Sequence, residues 1–161
     1  SKERLPDEMP AVASRGEGRD QVDLLRVDAG ANILIIGYGQ FAGTGLEVAE
    51  KLAAAGLACT VADPAWCIPL SSELIGLARE HETIVSIEDN LVVAGLGERL
   101  RARLAEEAPG TRVLAFGIEQ EFLAQGTRGE VLEELGLTSR HIARRVLEKI
   151  LQERRTATQP A

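Results

Sequence analysis

Asn32-Ile33-Leu34-Ile35-Ile36-Gly37-Tyr38-Gly39-Gln40-Phe41-Ala42 is the stretch that decides the fold. Its first half is an almost unbroken apolar run closed by glycine, as expected of a parallel strand covered on both faces. After it the period changes. Leu46, Ala49, Leu52 and Ala53 fall on one face of a helix over 43–55, stopped by Gly56, and residues 57–62 return to strand. Strand, helix, strand in that order is one βαβ unit, and its two strands run parallel.

The same alternation continues downstream. Ser71 is a good N-cap for a second helix carrying Glu73 in its first turn and Leu74, Leu77 and Ala78 on one face. A strand over 83–87 follows, then a helix over 96–107, the turn Pro109-Gly110 and a strand over 112–116. The remainder reads as helix over 128–135, a stop at Gly136, and a last helix capped by Thr138 and reaching about residue 154. Upstream, residues 22–27 form a short strand candidate. Residues 1–20 hold Pro6, Pro10, Gly16, Gly18 and many charges without apolar periodicity, the composition of a flexible linker cut from something longer. The expected layout is linker 1–20, one domain over 21–154 and a disordered tail 155–161. Helices on both faces of a mostly parallel sheet define a three-layer α/β/α class.

Gly37-Tyr38-Gly39-Gln40-Phe41-Ala42 also fits G-x-G-x-x-G/A, and Asp63 lies about 20 residues on, at the end of the next strand. Gly37, Gly39 and Asp63 are therefore candidates for binding a dinucleotide, with helix N–H groups for the pyrophosphate and the carboxylate for a ribose. The bland alternative is that the helix crosses the strand end so closely that only small residues fit.

Composition removes several classes. The 161 residues carry a net charge of −7, with one Trp, one Tyr and three Phe, which argues against nucleic acid or an anionic membrane as partner. No apolar run approaches the ~20 residues that cross a bilayer, and none follows the N-terminus, so a cytoplasmic protein is expected. Cys59 and Cys67 have no histidine nearby and no second pair, so neither a metal site nor a disulfide is expected. His81, at a helix end, is expected to be structural, His141 solvated, and no G-x-S-x-G elbow accompanies either. Glu88 and Asp89 are neighbours in a strand and point to opposite faces. They cannot form a paired-carboxylate site, and Glu88 is expected to turn inward to bond backbone. The charges of 98–107 and 140–153 read as solvated, salt-bridged helix faces.

Asp63-Pro64-Ala65-Trp66-Cys67-Ile68-Pro69-Leu70, Ser86-Ile87-Glu88-Asp89-Asn90, Gly95 and Gly97 stand in an order that resembles the C-terminal domain of transketolase-type, thiamine-diphosphate enzymes. Gly117-Ile118, Phe122, Gly126-Thr127-Arg128, Gly136-Leu137 and Ile142-Ala143 narrow the resemblance to the 1-deoxy-D-xylulose-5-phosphate synthase family. It implies a five-stranded sheet, four strands parallel and one antiparallel. It also implies a chain that by itself has no catalytic residue and binds no cofactor or metal, the thiamine diphosphate and magnesium belonging to preceding domains. By the same resemblance the partners are those thiamine-binding domains and a dimer mate, and an apolar docking surface should make the isolated domain self-associate.

The substrate-facing residues implied are Asp63, Ala65 and Trp66. In the family the third of these positions from Asp63 to Trp66 is an arginine that reaches the acceptor's phosphate, and Ala65 has no donor to offer. Glu119-Gln120, Ser71, Asp89 and Gln125 also replace family residues, so the polar positions have changed while glycines and core positions persist. Two other readings remain open at this point: a stand-alone nucleotide-binding domain using Gly37, Gly39 and Asp63, and a degenerate scaffold paralogue that kept only the fold.

Overall fold

The computed structural model of the chain describes residues 9–120 and 125–158. Six strands form one sheet: β1 (Ala13–Arg15), β2 (Val22–Val27), β3 (Ile33–Gly37), β4 (Cys59–Pro64), β5 (Thr83–Leu91) and β6 (Arg112–Ile118), in the order β1-β2-β4-β3-β5-β6. Strands β4, β3, β5 and β6 are parallel, β2 runs antiparallel to β4, and β1 antiparallel to β2. The five expected strands are present with the expected directions, and β1 is a sixth.

Alternation along β3 divides the core into two layers. Ile33 and Ile35 face the cluster built with α1 (Phe41–Ala54) and α5 (Ser139–Thr158). Leu34 and Ile36 face the cluster built with α2 (Ser72–Arg79) and α3 (Leu96–Glu107). A strand buried on both faces has no polar side, which is why residues 33–37 read as a continuous apolar run. The short α4 (Arg128–Glu134) adds Leu132 to the α1/α5 layer and is started by a capping box between Thr127 and Glu130.

Two boundary expectations are corrected. Part of the stretch read as linker is ordered, because polar contacts fasten it. Arg15 holds Glu80 at the end of α2 through two bonds of 2.7 and 2.8 Å, Asp20 accepts the Ser72 N–H at 2.9 Å, and Ser14 bonds Asp23. Gly16 makes the turn between them at φ +67, where a Cβ would meet the Asp20 carbonyl at 2.7 Å. Such fastening leaves no apolar periodicity to read. At the other end α5 continues to Thr158, through residues 155–158 of the presumed tail. Arg112 at the start of β6 pairs with Glu153, and no glycine or proline interrupts the helix. Phe122, used in the family resemblance, lies outside the described residues.

Candidate functional site

In the sheet order, β3 sends its chain into α1 on one face while its neighbour β5 sends its chain into α3 on the other. The sheet therefore opens at the carboxyl ends of β3 and β5, the switch point where open α/β sheets take ligands. The residues singled out from the sequence gather on this rim: Gly37 at the end of β3 and Gly39 after it, Asp63 at the end of β4 with Ala65 and Trp66 after it, and Glu88 to Asn90 in β5.

Glu88 is fully buried and accepts the N–H groups of Leu96 at 2.8 Å and Gly97 at 2.9 Å. It is the N-terminal cap of α3, supplied from across the loop because the formal N-cap, Gly95, has no side chain. Glycines make room for it. A Cβ on Gly95 would lie 2.7 Å from Glu88 Oε1, one on Gly117 would lie 3.1 Å from Glu88 Cγ, and one on Gly97 would strike the Ala115 methyl at 2.6 Å. The inward, backbone-bonding role expected for Glu88 is what the structure has. Asp89 points the other way and takes Arg128 at 2.7 Å, and Arg128 also lies over the Phe41 ring.

Gly37 is needed for close packing: a Cβ there would sit 2.4 Å from the Phe41 carbonyl oxygen. Gly39 takes φ +58. The N–H groups of Phe41 and Ala42, at the start of α1, are already given to the carbonyls of Tyr38 and Gly39 at 3.2 and 3.0 Å. Burial pushes the Asp63 carboxyl up to about 6, with the facing Asp23 adding to the shift and the nearby Gly39 N–H opposing it. Gly37, Gly39 and Asp63 are thus together, but the groups a pyrophosphate would use are turned on one another.

Beneath this rim lie two buried hydroxyls, Tyr38 and Ser86. They lie near each other without forming a hydrogen bond of ordinary geometry. Burial, reinforced by Glu88, raises the Tyr38 phenol well above its ordinary range, so it is a neutral hydroxyl at any physiological pH. Burial and the carboxylates of Asp63 and Glu88 likewise raise the Cys67 thiol, which is therefore not an activated nucleophile. Cys59 is buried and free, pushed up to about 11.

The outer edge of the rim is apolar. Trp66 is 44% exposed and Ile68 56%, both after β4, while Leu91 at the end of β5 and Val93 just after it are about as open. The Trp66 indole N–H bonds the Ile68 carbonyl, and the Arg19 guanidinium stacks over the Trp66 ring at 5.0 Å from its centre. The Ala65 N–H bonds the Gln21 carbonyl at 3.0 Å, tying this loop to the segment that carries Arg19. Sequence reasoning missed Arg19 because a contact across some 45 positions leaves no periodicity.

Both histidines are accounted for. His81 is buried, with Nδ1 2.8 Å from the Leu77 carbonyl and Nε2 3.0 Å from the Thr60 hydroxyl. One neutral tautomer, donating from Nδ1 and accepting at Nε2, satisfies both contacts, so the helix-end role needs no positive charge. His141 is half-buried beside Thr138, not fully solvated. Among the described residues no three of His, Cys, Asp or Glu come together in a way that could hold a metal ion, and no helix is long and apolar enough to cross a membrane.

This architecture, a mixed sheet between two helical layers with a glycine-lined rim, is that of a transketolase C-terminal domain. The family described as "Transketolase, C-terminal domain" matches residues 23–142, and the chain belongs to it. Among relatives, the 1-deoxy-D-xylulose-5-phosphate synthase of Clavibacter sepedonicus is 41% identical over 160 residues, and that of Leifsonia xyli subsp. xyli is 37% identical over 159. Each alignment takes in 99% of this chain and 24% of the relative, so the chain spans about a quarter of their length. A split-gene transketolase solved as an inactive β4 tetramer superposes with a TM-score of 0.72 at 30% identity, covering 86% of this chain and 46% of that one. The transketolase of Campylobacter jejuni shares the fold, with a TM-score of 0.59 at 19% identity, covering 83% of this chain and 19% of its own.

Proposed function

We propose that the chain is the C-terminal domain of a 1-deoxy-D-xylulose-5-phosphate synthase-like enzyme, a transferase that joins pyruvate to glyceraldehyde 3-phosphate with loss of carbon dioxide, toward isoprenoid precursors. On its own it is a non-catalytic packing and dimerisation unit, and in the whole enzyme its 63–66 loop faces the acceptor substrate. The enzyme is cytoplasmic and works as a homodimer. The observation that carries this reading is the rim: Trp66, Ile68, Leu91 and Val93 are exposed at the carboxyl ends of β4 and β5, where a folded neighbour would cover them.

Thiamine diphosphate and magnesium do not fit the residues described. Among the described residues, Glu88 on the rim caps α3, Asp89 pairs with Arg128, and Asp63, with the Gly39 N–H beside it, is held largely protonated below about pH 6 by burial and the facing Asp23, a poor ligand for a hard cation. The cofactor and metal therefore sit on the thiamine-binding domains of the parent protein, and no chemical step is assigned to this chain. What it contributes is placement. Ala65 cannot reach a phosphate, whereas Arg19, lying over Trp66, brings a guanidinium to the same loop and takes that task. The nucleotide-binding reading loses support from the turn at 38–42, whose N–H groups are already used.

A domain exchange tests this reading. The chain replaces the matching quarter of the Clavibacter sepedonicus enzyme, and product formation from pyruvate and glyceraldehyde 3-phosphate is assayed alongside thiamine diphosphate binding. An active hybrid is expected, with the isolated chain inactive. A folded hybrid that binds the cofactor yet makes no product sinks the proposal and favours the scaffold paralogue, whose support is Ala65.

A further inference from the structure

One shallow groove gathers basic side chains that have no acid to meet. It lies beside β6, has a volume of about 330 Å³, and is lined by Arg101 of α3, by residues 113–116, and by Arg145, Glu148, Lys149 and Gln152 of α5. With 25 acidic residues to 18 basic ones in the chain, most cations should find a carboxylate. Among the described residues, however, none lies within ion-pair distance of Arg101, Arg145 or Lys149. The one acid of the groove, Glu148, leans toward Arg144 at 3.7 Å.

Two of the three cations are held by contacts that leave their charge unanswered. Arg101 gives one N–H to the Val113 carbonyl at 3.0 Å. The Arg145 guanidinium lies over the Phe116 ring, 5.2 Å from its centre, a contact that steadies the group without neutralising it. Lys149 follows Arg145 by four positions, one turn on along the same side of α5. A guanidinium beside an ammonium is a donor set for an oxyanion: the fork of N–H groups suits two oxygens of a phosphate and the ammonium a third. A carboxylate brings only two oxygens and one charge, whereas a phosphate ester carries close to two charges at neutral pH.

We propose that this groove binds the phosphate group of a small phosphorylated molecule, with Arg145 and Lys149 gripping the phosphate from α5 and Arg101 adding its charge from the α3 side. This does not rest on the reaction proposed above. Size and charge fix the class of ligand. About 330 Å³ is at the small end of ligand sites, enough for a phosphorylated sugar or polyol. A nucleic acid would need the positive surface to continue past the groove, which the net charge of −7 opposes.

The test titrates the whole chain, ¹⁵N-labelled, at pH 7.5 with glycerol 3-phosphate, inorganic phosphate, glycerol, and sodium chloride matched for ionic strength. Glycerol 3-phosphate should give saturable shifts at the amides of residues 113–116 and 145–152, and glycerol and chloride none. Tighter binding of the ester than of inorganic phosphate identifies an organic phosphate as the ligand, and equal binding identifies free phosphate. R145A/K149A changes two exposed positions to a good helix former and should weaken binding by about tenfold, as two exposed charge contacts would. K51A/R140A removes the same charge elsewhere on the surface and should leave binding unchanged. No saturation at millimolar ester, shifts reproduced by glycerol or chloride, saturation only at other residues, or an equal loss in K51A/R140A would each overturn the proposal.

Discussion

Two carboxylates stand at neighbouring strand ends and have opposite fates. Glu88, after five buried positions of β5, is fully enclosed and caps α3 through two N–H bonds. Asp63, near the end of β4, is half-buried, has only the Gly39 N–H to help it, and faces a second carboxylate, Asp23, directly across the ladder. Both were visible in the sequence as acids at strand ends, and both could have been taken for ligands. The enclosed one is architecture, because every oxygen has an internal partner. The half-open one keeps chemical freedom, because its environment leaves it about half protonated near pH 6.

Substitutions can break this contrast at its strong side first. Replacing Glu88 with alanine leaves two buried N–H groups unpaired, each costing about 1–3 kcal/mol, so a loss of roughly 3 kcal/mol or more is expected in urea unfolding. A loss below about 1 kcal/mol would mean water replaces the carboxylate and the cap is dispensable. Next in size is Gly37→Ala, whose methyl would overlap the Phe41 carbonyl at 2.4 Å. Backbone must move to admit it, and about 2–3 kcal/mol should be lost by the same measurement, the range of overpacked cores. Gly39→Ala, where no atom lies within 4 Å but φ is +58, should cost less, about 1 kcal/mol.

The weak side of the contrast is read by pH. The Asp63 carboxyl has a folded pKa of about 6 against 3.8 for the unfolded chain. Between those values the folded state holds the proton more tightly, so this group favours folding at low pH, and that contribution is lost as pH rises through 6. Asp63→Asn keeps an acceptor for Gly39 and cannot ionise. It should therefore be more stable than the parent at pH 7.5, by no more than about 1 kcal/mol once solvent screening is allowed for, and nearly equal to it at pH 4.5. The opposite order, with the variant weaker at pH 7.5, would show that the ionised Asp63 is held by a partner stronger than the Gly39 N–H.

How much of this was legible depended on what kind of force made each part. The parallel strands, the helices between them and the Ser71 cap of α2 follow from apolar period and capping chemistry, which a single sequence displays. Strand β1 did not show, because Arg15 and Asp20 reach partners on α2 that lie 65 and 52 positions away. The rim was legible in part. Glu88 could be turned inward by strand alternation alone, and the glycines at 95, 97 and 117 were noticed as a pattern, but that Gly95 and Gly117 enclose that one carboxylate, while Gly97 clears Ala115 and Ser86, is a fact of tertiary packing. Arg19 was hidden for the same reason as β1.

Arg19 carries the prediction with the smallest effect on stability. Its stack on Trp66 is exposed, and such contacts contribute about 0.5–1 kcal/mol at most, so Arg19→Ala should change unfolding by no more than that. In the assembled enzyme the consequence would be separate and larger. If Arg19 meets the acceptor's phosphate in place of residue 65, its removal should raise KM for the phosphorylated acceptor about tenfold, the lower end of what a lost charge-assisted bond costs, with kcat little changed. The unphosphorylated acceptor should be indifferent to the substitution. An equal loss for both acceptors would mean that Arg19 only steadies Trp66, and a restored KM in the double variant R19A/A65R would show that the guanidinium serves from either position.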